Sequence, residues 1–344
     1  MNHIFFPPEW YPQSAIQLTW PHPDTDWDYM LEEVTACYVN IAVEILKRQK
    51  LIVVCHNAET VKYELKEHKD LFPNLTLVEL PTNDTWARDH SGISVINNGK
   101  KQVYDFTFNG WGLKFASNYD NQISRGLFKN GIFKSDVELI NKKDFALEGG
   151  ALESDGKGTL LTTSECLLSA NRNSFMSKDE IEKYLKEVFG LNKILWLNHG
   201  YLSGDDTDSH IDTLARYCDE HTIVYVKCEN KKDEHYEALA KMEEQLKTFT
   251  DYQGNPYKLI SLPMAKAVYD EDNERLPATY ANFLIMNDVV LLPFYNDQER
   301  DTEAKEKLEI AFPTREIIGI DCSSLIRQHG SLHCITMQYP DNFV

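Results

Sequence analysis

The chain has few cysteines, no long apolar run and no excess of basic residues. Its seven cysteines stand singly without a Cys-x-x-Cys pair, so we interpret them as reduced thiols rather than a disulfide framework. No stretch approaches the roughly 20 apolar residues needed to cross a membrane. The formal net charge is -19, which argues against nucleic acid and membranes as partners, since nucleic acid and anionic lipid surfaces bind through basic patches.

Signals for export and for domain boundaries are also missing. Residues 1–8 have neither the basic start nor the apolar run of a secretion signal, so we expect a cytoplasmic protein. No low-complexity or Ser/Gly-rich segment marks a boundary, and we expect one domain over residues 1–344. A homodimer is compatible with these features, and the assembly state is otherwise open.

Strand-like runs accompanied by polar clusters recur at intervals of roughly sixty residues, a spacing typical of repeat architectures. Amphipathic helices are predicted between them, and Asn/Asp/Gly turn signals separate the strands. The pattern predicts an α/β fold in which a unit of strand, hairpin, strand and helix repeats about five times, and a radial arrangement would bring the polar ends together at the axis. The polar clusters lie at 86–89, 148–150, 210–212, 280–285 and 333–336; the helices at 29–48, 178–189 and 233–249; the turns at 97–99, 155–158 and 287–288.

Two segments carry residues suited to covalent chemistry. Cys334 follows His333 near the end of the chain, and His210 lies within an aspartate-rich segment at 204–212. A thiolate with a histidine as acid and base can substitute at an electron-poor carbon. Several nearby carboxylates indicate a positively charged substrate. The negative charge of the whole chain would also attract a small cation. The combination predicts thiol attack on a cationic carbon, such as that of a guanidinium.

Several motifs resemble those of the agmatine deiminase and bacterial-type peptidylarginine deiminase family. The resemblance extends over nearly the whole chain, and it implies the guanidine-modifying α/β propeller (pentein), with five ββαβ units around a pseudo-fivefold axis and the site at its centre. It implies no cofactor and no metal. The motifs are Trp86-Ala87-Arg88-Asp89, Leu147-Glu148-Gly149-Gly150, the segments at 163–168 and 171–173, Gly204 to Asp212, and His333-Cys334-Ile335-Thr336, with Pro8-Glu9-Trp10 and Trp20-Pro21-His22 near the N-terminus.

The resemblance also implies roles for individual residues. Cys334 would be the nucleophile and His210 the acid and base, with Glu148 beside the guanidinium. Asp89 and Asp212 would accept paired hydrogen bonds from the planar guanidinium, the geometry that suits a carboxylate. Trp86 and Asp206 would contribute to substrate binding. His333, expected on a strand with its side chain opposite that of Cys334, is predicted to be structural.

Other readings of these residues stay open. Agmatine fits the extra acidic residues Asp205 and Asp206, whereas peptidylarginine and free arginine are the alternative substrates. A propeller that binds a cation without turnover is a non-enzymatic alternative. A metallohydrolase is a further alternative, built on Asp206, Asp208, His210 and Asp212, although a transition-metal site usually has more histidines or cysteines.

The remaining uncertainty concerns the rival thiol and the tail of the substrate. Cys166 is a second thiol candidate, but the adjacent Glu165 disfavours a thiolate there. The chain also departs from the family pattern at Ser91, at Ser209, where a glycine is usual, and at 327–331, where a glycine run is usual. These departures leave the catalytic set intact and fall where the tail of the substrate would be recognised.

Overall fold

Residues 4–344 are described by a computed structural model, in which α-helices and short β-sheets alternate along the chain. In chain order the strands are β1 (Ile4–Phe5), β2 (Gln13–Thr19), β3 (Lys50–Cys55), β4 (Leu75–Glu79), β5 (Ile93–Asn97), β6 (Lys100–Thr107), β7 (Val137–Ala146), β8 (Glu153–Ser154), β9 (Thr159–Thr163), β10 (Lys193–Leu197), β11 (Ala215–Asp219), β12 (Thr222–Lys227), β13 (Lys258–Pro263), β14 (Val268–Tyr269), β15 (Arg275–Leu276), β16 (Leu284–Ile285), β17 (Val289–Phe294), β18 (Glu316–Asp321) and β19 (Thr336–Pro340).

The α-helices are α1 (Leu31–Leu46), α2 (Ala58–Glu64), α3 (Ala87–His90), α4 (Gly110–Leu113), α5 (Ile123–Lys129), α6 (Ser164–Leu167), α7 (Lys178–Phe189), α8 (Tyr236–Leu246) and α9 (Gln298–Ala311). Short 3₁₀ helices occupy Asp28–Met30, Lys66–Asn74, Asp120–Gln122, Gly149–Ala151, Ile211–Thr213 and Leu325–Gln328. Within residues 4–344 we find no helix with the length and apolar character to span a bilayer.

Five of the six sheets share one strand pattern, which confirms the predicted repeat of strand, hairpin, strand and helix. In each, two strands pair antiparallel, and a third strand, reached through a helix, pairs parallel with the second. The five sets are β5-β6-β7, β8-β9-β10, β11-β12-β13, β16-β17-β18 and β19-β2-β3. The sixth sheet is the small ribbon of β14 and β15.

The fifth set joins the two ends of the chain. Strand β19 pairs with β2 in antiparallel register, with Thr336 opposite Leu18 and Tyr339 opposite Ala15. Helix α1 then returns the chain to β3, which is parallel to β2. Strand β19 therefore completes a sheet that β2 begins, so this unit forms only after β19 has been synthesised.

Local sequence explains why the helices begin and end where they do. Ser177 caps α7 by accepting a hydrogen bond from the backbone N–H of Glu180, whose side chain reciprocates, and Gly190 ends the helix with φ of 68°. Ile181, Leu185 and Phe189, at four-residue spacing, are its buried face. The prediction of 178–189 is confirmed, whereas the segments predicted at 29–48 and 233–249 are shorter, as α1 and α8.

The polar clusters occupy equivalent places in the five sets: three lie directly before the first strand, and those at 280–285 and 333–336 extend into it. Helix α3 precedes β5, the 149–151 turn precedes β8, and the 211–213 turn precedes β11. The 149–151 turn contacts both α3 and the 211–213 turn, and α3 also contacts β19. The prediction that Cys334 and His333 lie on a strand is wrong, because both residues are in a turn. The backbone N–H of Thr336 closes this turn by donating to the carbonyl of His333, and β19 begins at Thr336.

Candidate active site

Cys334 lies at the wall of a cavity of about 430 Å³, a volume that includes the space at its open mouth. The thiol is only 3% exposed. Three aromatic rings line the cavity, and none of the residues 4–344 that line it is a lysine or arginine. The aromatic residues are Trp86, Trp111 and Phe115, and the acidic ones are Asp26, Asp84, Asp89 and Asp206. The cavity is therefore suited to a small cation with an apolar section.

Asn282 orients the turn that carries Cys334. Its Oδ1 accepts hydrogen bonds from the backbone N–H groups of His333, at 2.9 Å, and Cys334, at 3.3 Å, and lies 3.4 Å from Cys334 Sγ. Burial raises the pKa of the Cys334 thiol well above its usual value, and the carboxylates of Asp212 and Asp89 add to the effect. The thiol therefore needs a cation beside it before it can ionise at neutral pH.

Asp89 and Asp212 are both buried, and their surroundings differ. Asp89 accepts from Trp111 Nε1 at 2.9 Å and from the backbone N–H of Gly150 at 3.1 Å. Burial raises the pKa of Asp89 well above its usual value, and the nearby Asp212 raises it further. Asp89 is therefore buried near a second carboxylate, that of Asp212, and has no cationic partner among residues 4–344.

Asp212 has such a partner. Its Oδ2 lies 2.7 Å from His333 Nδ1 and 4.0 Å from Cys334 Sγ. Burial pushes the pKa of Asp212 upward, but the hydrogen bond and charge of His333 outweigh this and leave the pKa below its usual value. Its Oδ1 is buried and has no hydrogen-bond partner among the described residues. That oxygen is available to a ligand beside the thiol.

His210 is fully buried between the acidic groups. Neither ring nitrogen has a hydrogen-bond partner within residues 4–344, and Nδ1 lies 3.6 Å from Asp89 Oδ1. Burial lowers the pKa of His210 to about 3, although Asp212 opposes the shift. The imidazole is therefore neutral at physiological pH and can accept a proton. A Cβ on Gly150 would lie 2.5 Å from Nδ1, so only glycine fits beside this ring.

Glu148 is tied to a buried arginine that sequence reasoning assigned no role. Arg172 Nε lies 3.0 Å from both carboxylate oxygens of Glu148, and Nη1 lies 2.5 Å from Asp208 Oδ2. Burial raises the pKa of Glu148, and Arg172 opposes that shift. Arg172 was visible in the 171–173 motif, but nothing local in the sequence marks its partners. It links Glu148 to the aspartate-rich segment.

The residues proposed for a metallohydrolase do not assemble into one metal site. Asp208 is engaged by Arg172 and by Lys114 Nζ, at 2.9 Å, and Asp212 by His333. In the described part of the chain, two sets of ligand atoms lie within 4.8 Å of one another, Glu148 with Cys166 and His210, and His22 with Asp24 and His56. In the first set the Arg172 guanidinium already neutralises Glu148, and in the second both ring nitrogens of His22 have hydrogen-bond partners.

Trp86 and Asp206 both line the cavity. The ring of Trp86 packs against Gly330, where a Cβ would lie 2.2 Å from the ring. Asp206 is 43% exposed in its side chain, and its carbonyl accepts a hydrogen bond from Lys114 Nζ at 2.6 Å. Asp206 therefore belongs to the mouth of the cavity rather than to its base.

The seven residues singled out in the sequence lie in one connected region. Four of them line the cavity, Asp212 contacts the thiol of Cys334, His210 contacts Asp89, and Glu148 lies beside His210. Sequence reasoning missed several residues of this region: Asn282, Arg172, Trp111, Asp84 and Asp26. Asn282 was visible as part of the recurring cluster at 280–285, but its bonds to the 333–334 backbone are long-range.

Comparison with known proteins places the chain in a family. Residues 5–340 match the model of the Porphyromonas-type peptidyl-arginine deiminase family. A Porphyromonas gingivalis protein, provisionally named an arginine deiminase, is 54% identical, with a TM-score of 0.95 and coverage of 99% of this chain and 100% of that one. A C. jejuni agmatine deiminase variant with substrate bound is 40% identical, with a TM-score of 0.92 and coverage of 100% and 98%.

Two further similarities extend these findings. Agmatine deiminase of Medicago truncatula is 30% identical over 365 residues, covering 97% of this chain and 96% of the plant protein. Dimethylarginine dimethylaminohydrolase is only 13% identical, but its TM-score of 0.50 over 95% of this chain and all of that one shows a common mixed α/β fold. On the match of residues 5–340 and the full-length similarity to its relatives, the chain belongs to the Porphyromonas-type peptidyl-arginine deiminase family.

Proposed function

We propose that the protein hydrolyses the guanidinium of agmatine, giving N-carbamoylputrescine and ammonia through a covalent intermediate on Cys334. The observation that carries the proposal is the buried Cys334 thiol beside Asp212, in a cavity with acidic and aromatic walls and no lysine or arginine among its described lining residues. A planar cation with several N–H donors complements carboxylates at this position. The relatives named agmatine deiminase support the same substrate.

Binding of the guanidinium accounts for the unpaired groups in the site. Asp212 Oδ1 and the carboxylate of Asp89 accept hydrogen bonds from its nitrogens, and Glu148 flanks another nitrogen. The cation lowers the pKa values of Asp89 and the Cys334 thiol, because an opposite charge favours their ionised forms. Substrate therefore activates its own nucleophile.

The first half of the reaction transfers the amidine carbon to sulfur. Cys334 Sγ bonds to the central carbon, and the thiol proton passes to His210, which is neutral because burial lowers its pKa to about 3. His210 then gives that proton to one nitrogen of the tetrahedral adduct. The carbon–nitrogen bond breaks, ammonia leaves, and an S-alkylthiouronium remains on Cys334.

The second half returns the enzyme to its starting state. A water molecule donates a proton to His210 as its oxygen attacks the thiouronium carbon. The new tetrahedral adduct collapses with cleavage of the carbon–sulfur bond, and the proton of its hydroxyl group passes to the sulfur. His210 loses the proton that it took from water to solvent, where the released ammonia becomes ammonium. The product carries a ureido group in place of the guanidinium, and the proposed reaction consumes no cofactor.

The mouth of the cavity supports agmatine over arginine. Asp26, Asp84 and Asp206 line the cavity, and an amine at the far end of the substrate would be attracted by them. The carboxylate of free arginine would be desolvated near like charges at a cost of several kcal/mol. Peptidylarginine is the runner-up substrate, and the family model supports it. Binding of a cation without turnover is the non-enzymatic alternative, but it needs no thiol.

The same proposal includes the arrangement of the sheets. We infer that the five ββαβ sets form the five blades of a propeller within one domain over residues 1–344, with the polar clusters at its axis. The repeated strand pattern and the contacts among α3, the 149–151 turn and the 211–213 turn support this arrangement.

Ammonia release on three substrates tests the function. We expect agmatine to have a specificity constant at least about a hundredfold above that of free arginine or an internal arginine in a peptide, a gap of roughly 2.7 kcal/mol. A better rate on either arginine substrate would overturn the agmatine assignment. Absence of ammonia from all three would leave cation binding as the function, measurable by calorimetry with agmatine.

A further inference from the structure

A buried network of ionic side chains lies behind the proposed active site and begins at the N-terminal segment. Glu9 Oε2 lies 2.6 Å from His333 Nε2 and 2.6 Å from Arg216 Nη2. Its other oxygen accepts from the backbone N–H of Ile285 at 2.6 Å. Glu9 is 9% exposed and His333 2%. The family motif at 8–10 thus supplies a buried carboxylate to the residue next to Cys334.

His333 is bonded to a carboxylate at both ring nitrogens. Nδ1 lies 2.7 Å from Asp212 Oδ2, and Nε2 lies 2.6 Å from Glu9 Oε2. Both nitrogens therefore face a carboxylate, and the Arg216 guanidinium also lies close, with Nη2 3.1 Å from His333 Nε2. Although burial favours the neutral acid, His333 and Arg216 hold the pKa of Glu9 far below its usual range. The ring is therefore fixed between two carboxylates.

Arg216 attaches the same network to the other side of the thiol. Its Nη1 donates to the carbonyls of Ala281, at 3.2 Å, and Phe283, at 2.7 Å, the two neighbours of Asn282. Its Nε bonds to Glu153. Because Asn282 holds the 333–334 backbone, Glu9 and Arg216 fix both segments that surround Cys334.

We propose that Glu9 is a positioning residue for the guanidinium site, acting through His333 to hold Asp212 so that its unpartnered Oδ1 faces the substrate. This inference rests on the proposed reaction, and it adds a residue that does not line the cavity. Replacing Glu9 by glutamine removes the carboxylate that holds His333 Nε2. Asp212 then loses the fixed ring that orients it, so the effect of Glu9 depends on Asp212.

A double-mutant cycle with a reactive amidinium tests this dependence. The probe is chloroacetamidine, whose carbon binds the sulfur of a thiolate with loss of chloride; neutral chloroacetamide is the matched probe for thiol reactivity alone. The ratio of the two rates of Cys334 alkylation measures how strongly the carboxylates of the site favour a cationic probe over a neutral one. Parent, Glu9→Gln, Asp212→Asn and the double variant are compared, and kcat/KM on agmatine is measured for each.

Glu153→Gln is the matched control. Glu153 is a buried carboxylate that also bonds Arg216, but it makes no hydrogen bond to His333. We expect Glu9→Gln to lower the rate ratio about tenfold or more and Glu153→Gln less than about threefold, with the double variant within about twofold of Asp212→Asn alone. A purely structural role would give additive losses in the cycle, and that result would overturn the proposal.

A second variant covers failure of Glu9→Gln to fold. His333→Gln removes the same link, and its effect should likewise vanish in the Asp212→Asn background; additive loss there would also overturn the proposal. The two hypotheses remain distinguishable. If the losses are non-additive with chloroacetamidine but the parent does not turn over agmatine, the proposed substrate is wrong and the positioning role of Glu9 stands. If the parent turns over agmatine but the losses in the double-mutant cycle are additive, only the positioning role of Glu9 is wrong.

Discussion

The acidic cavity and the network behind it use the same kinds of residue in opposite ways. In the cavity, Asp89 is buried without a cationic partner and Asp212 Oδ1 has no partner among the described residues. In the network, one oxygen of Glu9 and one of Glu153 bond Arg216 or His333, and their other oxygens accept from the backbone N–H groups of Ile285 and Tyr217. Burying a carboxylate costs several kcal/mol unless it is paired. The unpaired set is therefore maintained for a ligand, and the paired set supports the structure around it.

Removal of the Cys334 thiol should have the largest effect on activity of any change in either region. Cys334→Ser should abolish ammonia release from agmatine, by a factor of about 10³ or more, while the protein stays folded and still binds agmatine. Cys55→Ser, at a buried cysteine of β3, is the control and should keep normal turnover. Steady-state kinetics and calorimetry check both variants. Normal turnover by Cys334→Ser would exclude the thiol mechanism.

Removing one charge from each region should separate activity from stability. Asp89→Asn and Asp212→Asn should each cost about 2 to 5 kcal/mol of transition-state stabilisation. The Tm of ligand-free Asp89→Asn should not fall, because burial raises the pKa of Asp89 and the neutral amide removes that penalty. Glu153→Gln should instead lower Tm with little change in KM, since it leaves Arg216 partly unpaired. Activity of Asp89→Asn within threefold of the parent would place this residue outside the site.

Crowding His210 should weaken activity without changing any charge. In Gly150→Ala the new methyl would lie 2.5 Å from His210 Nδ1 and 2.9 Å from Asp89 Oδ1, so both side chains must move. We expect kcat/KM to fall by about 10- to 100-fold, as for small misplacements of catalytic groups. Gly254→Ala, where a Cβ meets nothing within 4 Å, should cost stability through its φ of 89° and leave kcat/KM unchanged. Equal kinetics in the two variants would show that the geometry around His210 is not critical.

The smallest expected effect is a pH-dependent one at the mouth of the cavity. Burial raises the pKa of Asp84 to about 7, and Asp26 adds to the shift. A raised folded-state pKa contributes stability that is fully present below about pH 3.9 and is lost as the pH rises through 7. Asp84→Asn should therefore gain stability relative to the parent between pH 5 and 8, by a Tm difference of about 2 °C. A difference independent of pH would contradict the raised pKa.

Sequence patterns predicted the repeating unit and much of the site because both depend on local signals. The amphipathic pattern at 178–189 predicted α7, and the Asn/Gly turn at 97–99 separates β5 from β6, as expected. Each polar cluster directly precedes a strand or extends into it, so the motifs were placed correctly in the fold. Cys334 was the exception, because the turn before β19 is set by Asn282, which lies 52 residues away.

Long-range partners could not be read from local patterns. Glu9 and His333 are separated by 324 positions, and Arg172 and Glu148 by 24. Pairing of β19 with β2 likewise depends on the two chain ends meeting. The roles proposed for Cys334, His210, Glu148, Asp89 and Asp212 therefore stay predictions, which the geometry supports and kinetics must test.

The most direct test of the central claim is mass spectrometry of the intermediate. Removal of the acid and base in His210→Ala should slow hydrolysis of the thiouronium, so that brief exposure to agmatine leaves an adduct. The account predicts that the peptide containing Cys334 gains the mass of agmatine less that of ammonia. An adduct on Cys166, or no adduct in His210→Ala together with unimpaired agmatine turnover by Cys334→Ser, would contradict it.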